Sequence, residues 1–240
     1  MQPEKSSRRI VVLLIFLHFL FSQVSSLDTL KQGDNLNSSS QLVSAKRIFT
    51  LGFHTPENTN NSYLAIWYTV GSRGPVWIGN REKPVPNNMN PELTLSTRGQ
   101  LIITQSGGES FELYAAESNK NQSLSATLLD TGNFVLSSNG EILWQSFDHP
   151  TDTLLPGMKL GVNHRTRRNW KLSSWAGERN PVSGAFTLEW DPSVRNLIVK
   201  RRGMVYWTSG ELEDYYIERG NLRVKQFENF PREVDIFNLM

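Results

Sequence analysis

The sequence has 240 residues, of which 38% are hydrophobic and 20% are charged, so it can bury a substantial core and does not have the composition of a disordered chain. Its 25 basic and 23 acidic side chains nearly balance, which gives no argument for nucleic-acid binding. The absence of cysteine excludes thiol catalysis, disulfide exchange and zinc–thiolate sites.

The first predicted element is the apolar run of residues 10–21, which follows Arg8 and Arg9 and precedes the small polar residues 22–26. The run is too short to span a bilayer, so it predicts a signal peptide of residues 1–26 with cleavage before Leu27. Without that peptide the chain carries 22 basic and 22 acidic side chains. We therefore expect a protein that is secreted or lies on the outer face of the plasma membrane, with no transmembrane anchor in this chain.

Three Asn-X-Ser triplets agree with passage through the secretory pathway. They begin at Asn37, Asn60 and Asn121, and each is a predicted acceptor of an N-linked glycan.

After residue 26 the apolar side chains follow the two-residue period of strands. Alternating sets are Phe49, Leu51, Phe53 and Phe186, Leu188, Trp190, and short apolar runs occupy residues 101–103 and 134–136. Clusters of Gly, Asn, Pro and Ser at 71–74, 86–88, 106–108 and 137–140 have the chemistry of tight turns. The predicted class is all-β with many short strands.

An internal repeat relates residues 96–103 to residues 129–136. Each copy has a glycine, then an amide, then three apolar residues, and the two glycines, Gly99 and Gly132, are 33 residues apart. A repeat of this kind predicts equivalent sheets around a pseudo-symmetry axis.

Residues 159–202 are basic, with ten Lys or Arg side chains against three Asp or Glu. The stretch from Arg165 to Lys171 has two interpretations. It could meet acidic glycans or a membrane surface, or it could be the solvated tip of a β-hairpin, which the polarity of turns favours.

Five segments carry a family resemblance. They are residues 63–68 (YLAIWY), 76–81 (VWIGNR), 142–161 (ILWQSFDHPTDTLLPGMKLG), 171–175 (KLSSW) and 181–186 (PVSGAF). Together they resemble the extracellular region of plant S-domain receptor-like kinases, which begins with a bulb-type, mannose-binding lectin domain and continues into an S-locus glycoprotein segment.

The resemblance implies a β-prism of three four-stranded sheets with pseudo-threefold symmetry for the lectin domain, placed at residues 27–158. Residues 159–240 are expected to be a partial S-locus glycoprotein segment. Such proteins continue into EGF-like, PAN, transmembrane and kinase regions, and this sequence has no His-Arg-Asp or Asp-Phe-Gly triplet. We therefore expect a recognition module that is not an enzyme and needs no cofactor or metal.

Related mannose-binding lectins hold sugar with a Gln-x-Asp-x-Asn-x-Val-x-Tyr strand. Aligned on Asn133, this sequence has Leu129, Thr131, Asn133, Val135 and Ser137, so only Asn and Val remain. The predicted carbohydrate-binding residues are Thr131, Asn133, Val135 and Ser137. Because three polar partners are missing, the resemblance implies a degenerate mannose site.

The expected partners are mannose-type glycans or glycoproteins and full-length S-domain receptor-like kinases. An alternative is a soluble interaction partner or decoy of those receptors that binds no sugar. The triplet Asp130-Thr-Gly132 also matches the catalytic strand of aspartic proteases, but those enzymes need two carboxylates, and no second such triplet occurs.

Overall fold

The computed structural model describes residues 28–71, 74–115, 123–163, 165–166, 168–210, 217–218 and 221–222. The predicted signal peptide and the sequon at Asn121 lie outside these residues. Among the described residues, no helix is long and apolar enough to cross a membrane.

The first thirteen strands are β1 (Thr29–Lys31), β2 (Asn35–Asn37), β3 (Leu42–Val43), β4 (Phe49–His54), β5 (Asn61–Tyr68), β6 (Trp77–Ile78), β7 (Val85–Pro86), β8 (Glu92–Leu95), β9 (Leu101–Thr104), β10 (Ser110–Tyr114), β11 (Leu124–Leu128), β12 (Phe134–Ser138) and β13 (Glu141–Gln145). Short 3-10 helices occupy Asn87–Met89 and Ser146–Asp148. We call β1–β13 and the second 3-10 helix the first unit.

The first unit consists of three antiparallel sheets around one core. Their strand orders are β1-β11-β12-β13, β10-β9-β8-β2 and β3-β4-β5-β6, and β7 pairs with β5 as a fifth strand of the third sheet. Twenty-two buried residues form a single hydrophobic cluster, which draws on all three sheets and includes Phe147 of the second 3-10 helix and Leu155 of the segment after it. The all-β class and the three-sheet prism expected from the sequence are confirmed.

The alternation of side chains explains how each sheet faces this core. In β8 and β9 every second residue is buried, and the antiparallel register pairs Leu93 with Ile103 and Leu95 with Leu101 on the inner face. The intervening residues lie on the outer face, as the two-residue period requires. The predicted strands at residues 49–53, 101–103 and 134–136 are present in β4, β9 and β12, and a strand of the C-terminal part covers the predicted residues 186–190.

The internal repeat corresponds to two matching turns. Gly99 and Gly132 have φ angles of 85° and 83°. One backbone hydrogen bond closes each turn. Ser96 N donates to Gln100 O in the first turn, and Leu129 N donates to Asn133 O in the second, both at 2.9 Å. L side chains rarely adopt this φ, so glycine is the expected residue.

A third turn of this kind precedes β4, which completes the pseudo-threefold arrangement. Ser44 N donates to Phe49 O at 2.9 Å, and Arg47 occupies the left-handed position with φ 57°. The repeat was not detectable there because the turn is one residue longer and has no glycine at the left-handed position.

The remaining strands are β14 (Gly161–Asn163), β15 (Arg168–Trp170), β16 (Leu172–Gly177), β17 (Asn180–Asp191), β18 (Asn196–Arg201), β19 (Met204–Thr208), β20 (Ile217–Glu218) and β21 (Asn221–Leu222). We call β14–β19 the second unit. It contains a sheet of order β16-β17-β18-β19 and the separate hairpin β14-β15. The basic stretch from Arg165 to Lys171 lies in and after this hairpin, and Arg165 is exposed, in agreement with the hairpin-tip interpretation.

A buried arginine joins the two units. Arg81 of the first unit donates from Nη1 to Ser173 O at 2.9 Å, from Nη2 to Ser174 O at 2.6 Å, and from Nε to Pro181 O. Arg81 is only 7% exposed. Burial lowers the pKa of Arg81, an effect that the nearby Asp152 and Glu82 oppose.

Apolar contacts surround this arginine. Tyr63, Ala65 and Ile78, on the outer face of the third sheet, form a small buried cluster against which Trp67 and Trp175 pack. Trp175 comes from β16, so the cluster bridges the two units. We call this contact between the units the joint. Residues 76–81 contain Ile78 and Arg81, and Thr151 O of the segment 142–161 accepts from Ser173 N at 2.7 Å, so two segments that carry much of the family resemblance lie at the joint.

Candidate functional site

The predicted sugar residues lie along β12 and the turn before it. Val135 and Ser137 point to the face of β12 opposite Phe134 and Leu136, but Val135 is itself buried, with only 6% exposure, and Ser137 is half-buried. Thr131 is exposed in the turn, where its Oγ1 accepts a weak hydrogen bond of 3.4 Å from Asn133 N. Asn133 directly precedes the strand. All four are thus close in the chain, but only Thr131 and Ser137 present polar side chains outward.

Asn133 is held inside the first unit. Its Nδ2 donates to Gln145 Oε1 at 2.8 Å, and its Oδ1 accepts from Ser146 Oγ and from Phe147 N, both at 3.2 Å. The residue is only 7% exposed. Because both acceptor positions of Oδ1 are used, Asn133 ties the start of β12 to the end of β13 and keeps little capacity for a ligand.

Neighbouring strands contribute polar groups that the sequence analysis missed. The register places Thr127 of β11 and Gln145 of β13 on either side of Val135, and Ser125 beside Ser137. We call the outer side chains of Ser125, Thr127, Val135, Ser137 and Gln145 the β12 surface. The alternation of polar and buried residues in β11 was a signal that could have found Ser125 and Thr127.

The amide of Gln145 is also engaged, because its Nε2 donates to Asp148 Oδ2 at 3.1 Å. Asp148 in turn lies 3.5 Å from Arg168 and 4.0 Å from Lys159. A polar chain therefore runs from Asn133 through Gln145 and Asp148 to Arg168 of the second unit and to Lys159, which precedes it. These ion pairs are partly exposed, so each contributes little stability.

Asp130 of the protease-like triplet has a structural contact. Its Oδ1 accepts from Lys46 N at 2.7 Å, which fastens the turn before β4 to the turn before β12. Within the described part of the chain, no group of three or more His, Asp or Glu side chains could hold a metal ion.

The two described sequons are both on the surface. Asn37 is exposed, and its Oδ1 accepts from Ser39 N, Ser39 Oγ and Ser40 Oγ at 2.8–3.1 Å. It borders a polar cleft of about 520 Å³ between β2, β8 and β9. Asn60 is exposed beside β5, whereas the hydroxyl of its sequon partner Ser62 is buried and donates to Asn87 Oδ1 at 2.5 Å.

The chain is similar to known lectins and receptors. A family model described as D-mannose binding lectin matches residues 74–176. Two similar proteins of Arabidopsis thaliana are the G-type lectin S-receptor-like serine/threonine-protein kinase CES101, 43% identical over 83% of this chain and 24% of its own length, and the receptor-like serine/threonine-protein kinase SD1-7, 38% identical over 76% of this chain and 22% of its own length.

The S-locus-specific glycoprotein S6 of Brassica oleracea is 38% identical over 78% of this chain and 44% of its own length. The chain thus spans about a quarter of the length of the receptor kinases that it matches. Among solved structures, a monomeric monocot mannose-binding lectin from Gastrodia elata is 19% identical with a TM-score of 0.36, covering 50% of this chain and 96% of that one. A lectin from Allium sativum is 16% identical with a TM-score of 0.34, covering 49% of this chain and 97% of that one.

Proposed function

This chain belongs to the bulb-type lectin S-domain proteins of plants, and on that premise we propose that it is an extracellular recognition module with weak affinity for mannose-type glycans and no catalysis of its own. The domain boundaries that we propose are a signal peptide of residues 1–26, a lectin domain of residues 27–158 and a partial S-locus glycoprotein segment from residue 159. The expected glycans on Asn37, Asn60 and Asn121 belong to the same proposal.

The hydrogen bonds that Asn133 makes inside the protein are the reason to expect a weak site. Its amide oxygen accepts two internal hydrogen bonds, and Gln145 beside it is tied to Asp148. A sugar on the β12 surface would therefore meet mainly the hydroxyls of Ser125, Thr127 and Ser137, because Val135 is only 6% exposed. Hydrogen bonds of this kind contribute about 0.5–1.5 kcal/mol each, so we expect a single site to bind mannose with a Kd of about 1 mM or weaker.

Weak sites gain strength when several engage one surface, because the later contacts become intramolecular. The mature chain should therefore show little binding to free mannose and should be retained on a surface densely coated with mannan only when the protein is displayed in several copies. Retention that is equal for the monomer and a clustered form would contradict the proposal.

A gain-of-function variant tests the register. The combination Leu129→Gln, Thr131→Asp and Ser137→Tyr supplies the polar partners that the family motif has, so it should bind mannose about tenfold more tightly than the parent chain, measured by calorimetry. A matched variant with Ser137→Phe in place of Ser137→Tyr lacks only the phenolic hydroxyl and should gain less. Tight binding of free mannose by the unmodified chain would contradict the degenerate site.

A second candidate function rests on the exposed terminal strand of the sheet in the second unit. β19 is the terminal strand of its sheet, and it presents Met204, Val205 and Tyr206 with 74%, 60% and 39% exposure. Terminal strands with apolar side chains can pair with another chain. The alternative function is therefore that of a soluble partner or decoy of full-length receptors. It predicts that the chain co-sediments with a receptor ectodomain. Val205→Lys should abolish this co-sedimentation, and added mannose should leave it unchanged.

A further inference from the structure

The two described sequons differ in whether the folded protein leaves their serine accessible. An Asn-X-Ser sequon has two necessary parts, the asparagine that carries the glycan and the serine hydroxyl that the transferring enzyme recognises. Asn37 and Asn60 are both exposed, so the asparagines do not distinguish the two sites. The serines do, because Ser39 is exposed, whereas Ser62 is only 4% exposed.

The side chain and the carbonyl of Ser62 are both bonded inside the first unit. Its Oγ donates to Asn87 Oδ1 at 2.5 Å, and the same oxygen of Asn87 accepts from Thr55 Oγ1 at 3.0 Å. The carbonyl of Ser62 accepts from Nδ2 of the buried Asn80 at 3.3 Å. An enzyme can therefore reach the hydroxyl of Ser62 only when these contacts open.

The backbone of this sequon is paired as well. The register of β5 and β7 places Ser62 opposite Val85, and Asn87 N donates to Asn60 O at 2.8 Å. The sequon is thus held against β7 and the 3-10 helix that follows it. Releasing the sequon requires local unfolding of this part of the first unit.

The hydroxyl of the other sequon has only local contacts. Asn37 is the last residue of β2, and its Oδ1 accepts from Ser39 Oγ at 2.8 Å and from Ser40 Oγ at 3.1 Å. Donors and acceptor lie within three residues of one another, and Asn37 and Ser39 are exposed. Because water can replace such bonds at little cost, an enzyme can reach this hydroxyl without opening a sheet.

We propose that folding closes the sequon at Asn60, so that Asn60 accepts a glycan only before β5 and β7 pair, whereas Asn37 also accepts one in the folded protein. This inference rests on the proposed glycosylation of the chain and adds its order. In the transfer step Nδ2 of the asparagine attacks C1 of a sugar that is linked to a lipid pyrophosphate. The C1–O bond breaks, the lipid pyrophosphate leaves with the bonding electrons, and Nδ2 loses a proton to a base of the enzyme.

The order of the chain makes modification of Asn60 compete with folding. Asn87 follows Ser62 by 25 positions, and synthesis at about 5–20 residues per second covers that distance in about 1–5 s. Asn60 is open for at least this interval. Its occupancy should therefore fall as the pairing of β7 becomes faster, while the occupancy of Asn37 should not depend on that pairing.

Glycan transfer to the purified mature chain tests the proposal. The chain is produced without glycans in bacteria and incubated with oligosaccharyltransferase and a lipid-linked oligosaccharide, and mass spectrometry follows Asn37 and Asn60 separately. In the folded chain, transfer to Asn60 should be slower than transfer to Asn37 by about tenfold or more, because it waits for local unfolding.

Two references without a fold separate this effect from the local sequence. The first is the full mature chain with Leu101→Asp and Phe134→Asp, which place charges at two fully buried core positions. The second is a pair of peptides, residues 33–43 and 56–66. In both references the two sequons should react at rates within about threefold of each other, since no sheet closes either one.

Neighbouring substitutions test the closing contact itself. Asn87→Ala removes the acceptor of the Ser62 hydroxyl, so it should speed transfer to Asn60 in the folded chain about three- to tenfold and leave transfer to Asn37 unchanged. Asn88→Ala, at the next exposed position of the same 3-10 helix, should change neither rate. Circular dichroism shows whether both variants are folded.

Four results would overturn the proposal. Equal transfer to Asn37 and Asn60 in the folded chain would show that the buried hydroxyl is no barrier, and no transfer to Asn37 there would show that folding closes both sequons. Equally slow transfer to Asn60 in the references would assign the difference to local sequence. Equal effects of Asn87→Ala and Asn88→Ala would exclude the contact with Ser62 as the cause. Absence of glycans from the protein of its native tissue would instead contradict the proposed glycosylation.

Discussion

The two units differ in how they obtain a core. The core of the first unit has 22 buried residues, drawn from three sheets and the segment that follows them, whereas the second has a cluster of four buried residues on one sheet, completed by half-buried side chains that include Leu154 and Leu160. Leu154 precedes β14 and lies next to Leu155, which belongs to the core of the first unit. The comparison teaches that the first unit can close its core alone, while the second depends on the joint.

The largest expected effect comes from separating the units. A chain of residues 27–158 should unfold in one cooperative thermal transition, because its three sheets and their core are complete. A chain of residues 159–240 should show no such transition, since its buried cluster has only four residues and loses both Leu154, which packs against it, and the contacts with the first unit. Calorimetry of both chains tests this, and a non-cooperative first unit would contradict the comparison.

Removing the arginine at the joint should have the next largest effect. Arg81→Met leaves the carbonyls of Ser173, Ser174 and Pro181 buried without their donor, which costs about 3 kcal/mol or more. Hydrogen exchange should increase in β16 and β17 and remain slow in β9 and β12. The matched control is Arg179→Met.

Arg179 also faces the first unit, but it forms only an exposed pair with Glu57 at 4.0 Å. Its removal should change the free energy of unfolding by less than about 0.5 kcal/mol. Equal effects of the two substitutions would show that the buried arginine does not hold the units together.

A substitution in the repeat turn tests the first unit by itself. Gly132 has φ 83°, and a Cβ there would lie 2.9 Å from Leu155 and 3.0 Å from Phe49. Gly132→Ala should therefore destabilise the protein by about 2–4 kcal/mol through backbone strain and crowding. Gly107→Ala is the control, because Gly107 also has a positive φ, 99°, but nothing lies within 4 Å of an added Cβ. It should cost about 1–2 kcal/mol, the strain alone.

The smallest expected effect is a pH dependence that belongs to the first unit. Burial lowers the pKa of His54 below 6.5. The unfolded chain then binds the proton more readily, so stability is full above pH 6.5 and is lost as the pH falls through the lowered pKa. His54→Gln should flatten this part of the curve, measured by denaturation in urea. The part of the slope that His54→Gln removes should appear in residues 27–158 alone, and a His54-dependent slope present only in the whole chain would assign it to the joint. His149 contributes separately, because burial and Arg168 lower its pKa too.

The sequence predicted the strands and turns whose signals are local. The alternation around Phe49, the apolar run before Thr104 and the Gly-Asn pair at 132–133 each act through neighbours within a few residues. The sequence did not predict the third repeat turn, because Arg47 has the left-handed conformation there. A non-glycine residue adopts that conformation only where the surrounding fold supports it.

The site could be predicted in part. Alignment of the motif identified Asn133 and Val135, but the engagement of Asn133 depends on Gln145, Ser146 and Phe147, which the β12-β13 hairpin brings to it.

By itself the sequence determined the class of fold, because period-two patterns and turn residues state which side of each strand is apolar and where the chain reverses. Tertiary structure alone decided how the units join. Arg81 binds three backbone carbonyls, and every residue carries such a carbonyl, so no side-chain pattern marks the acceptors. Only the approach of β16 and β17 to the first unit selects them.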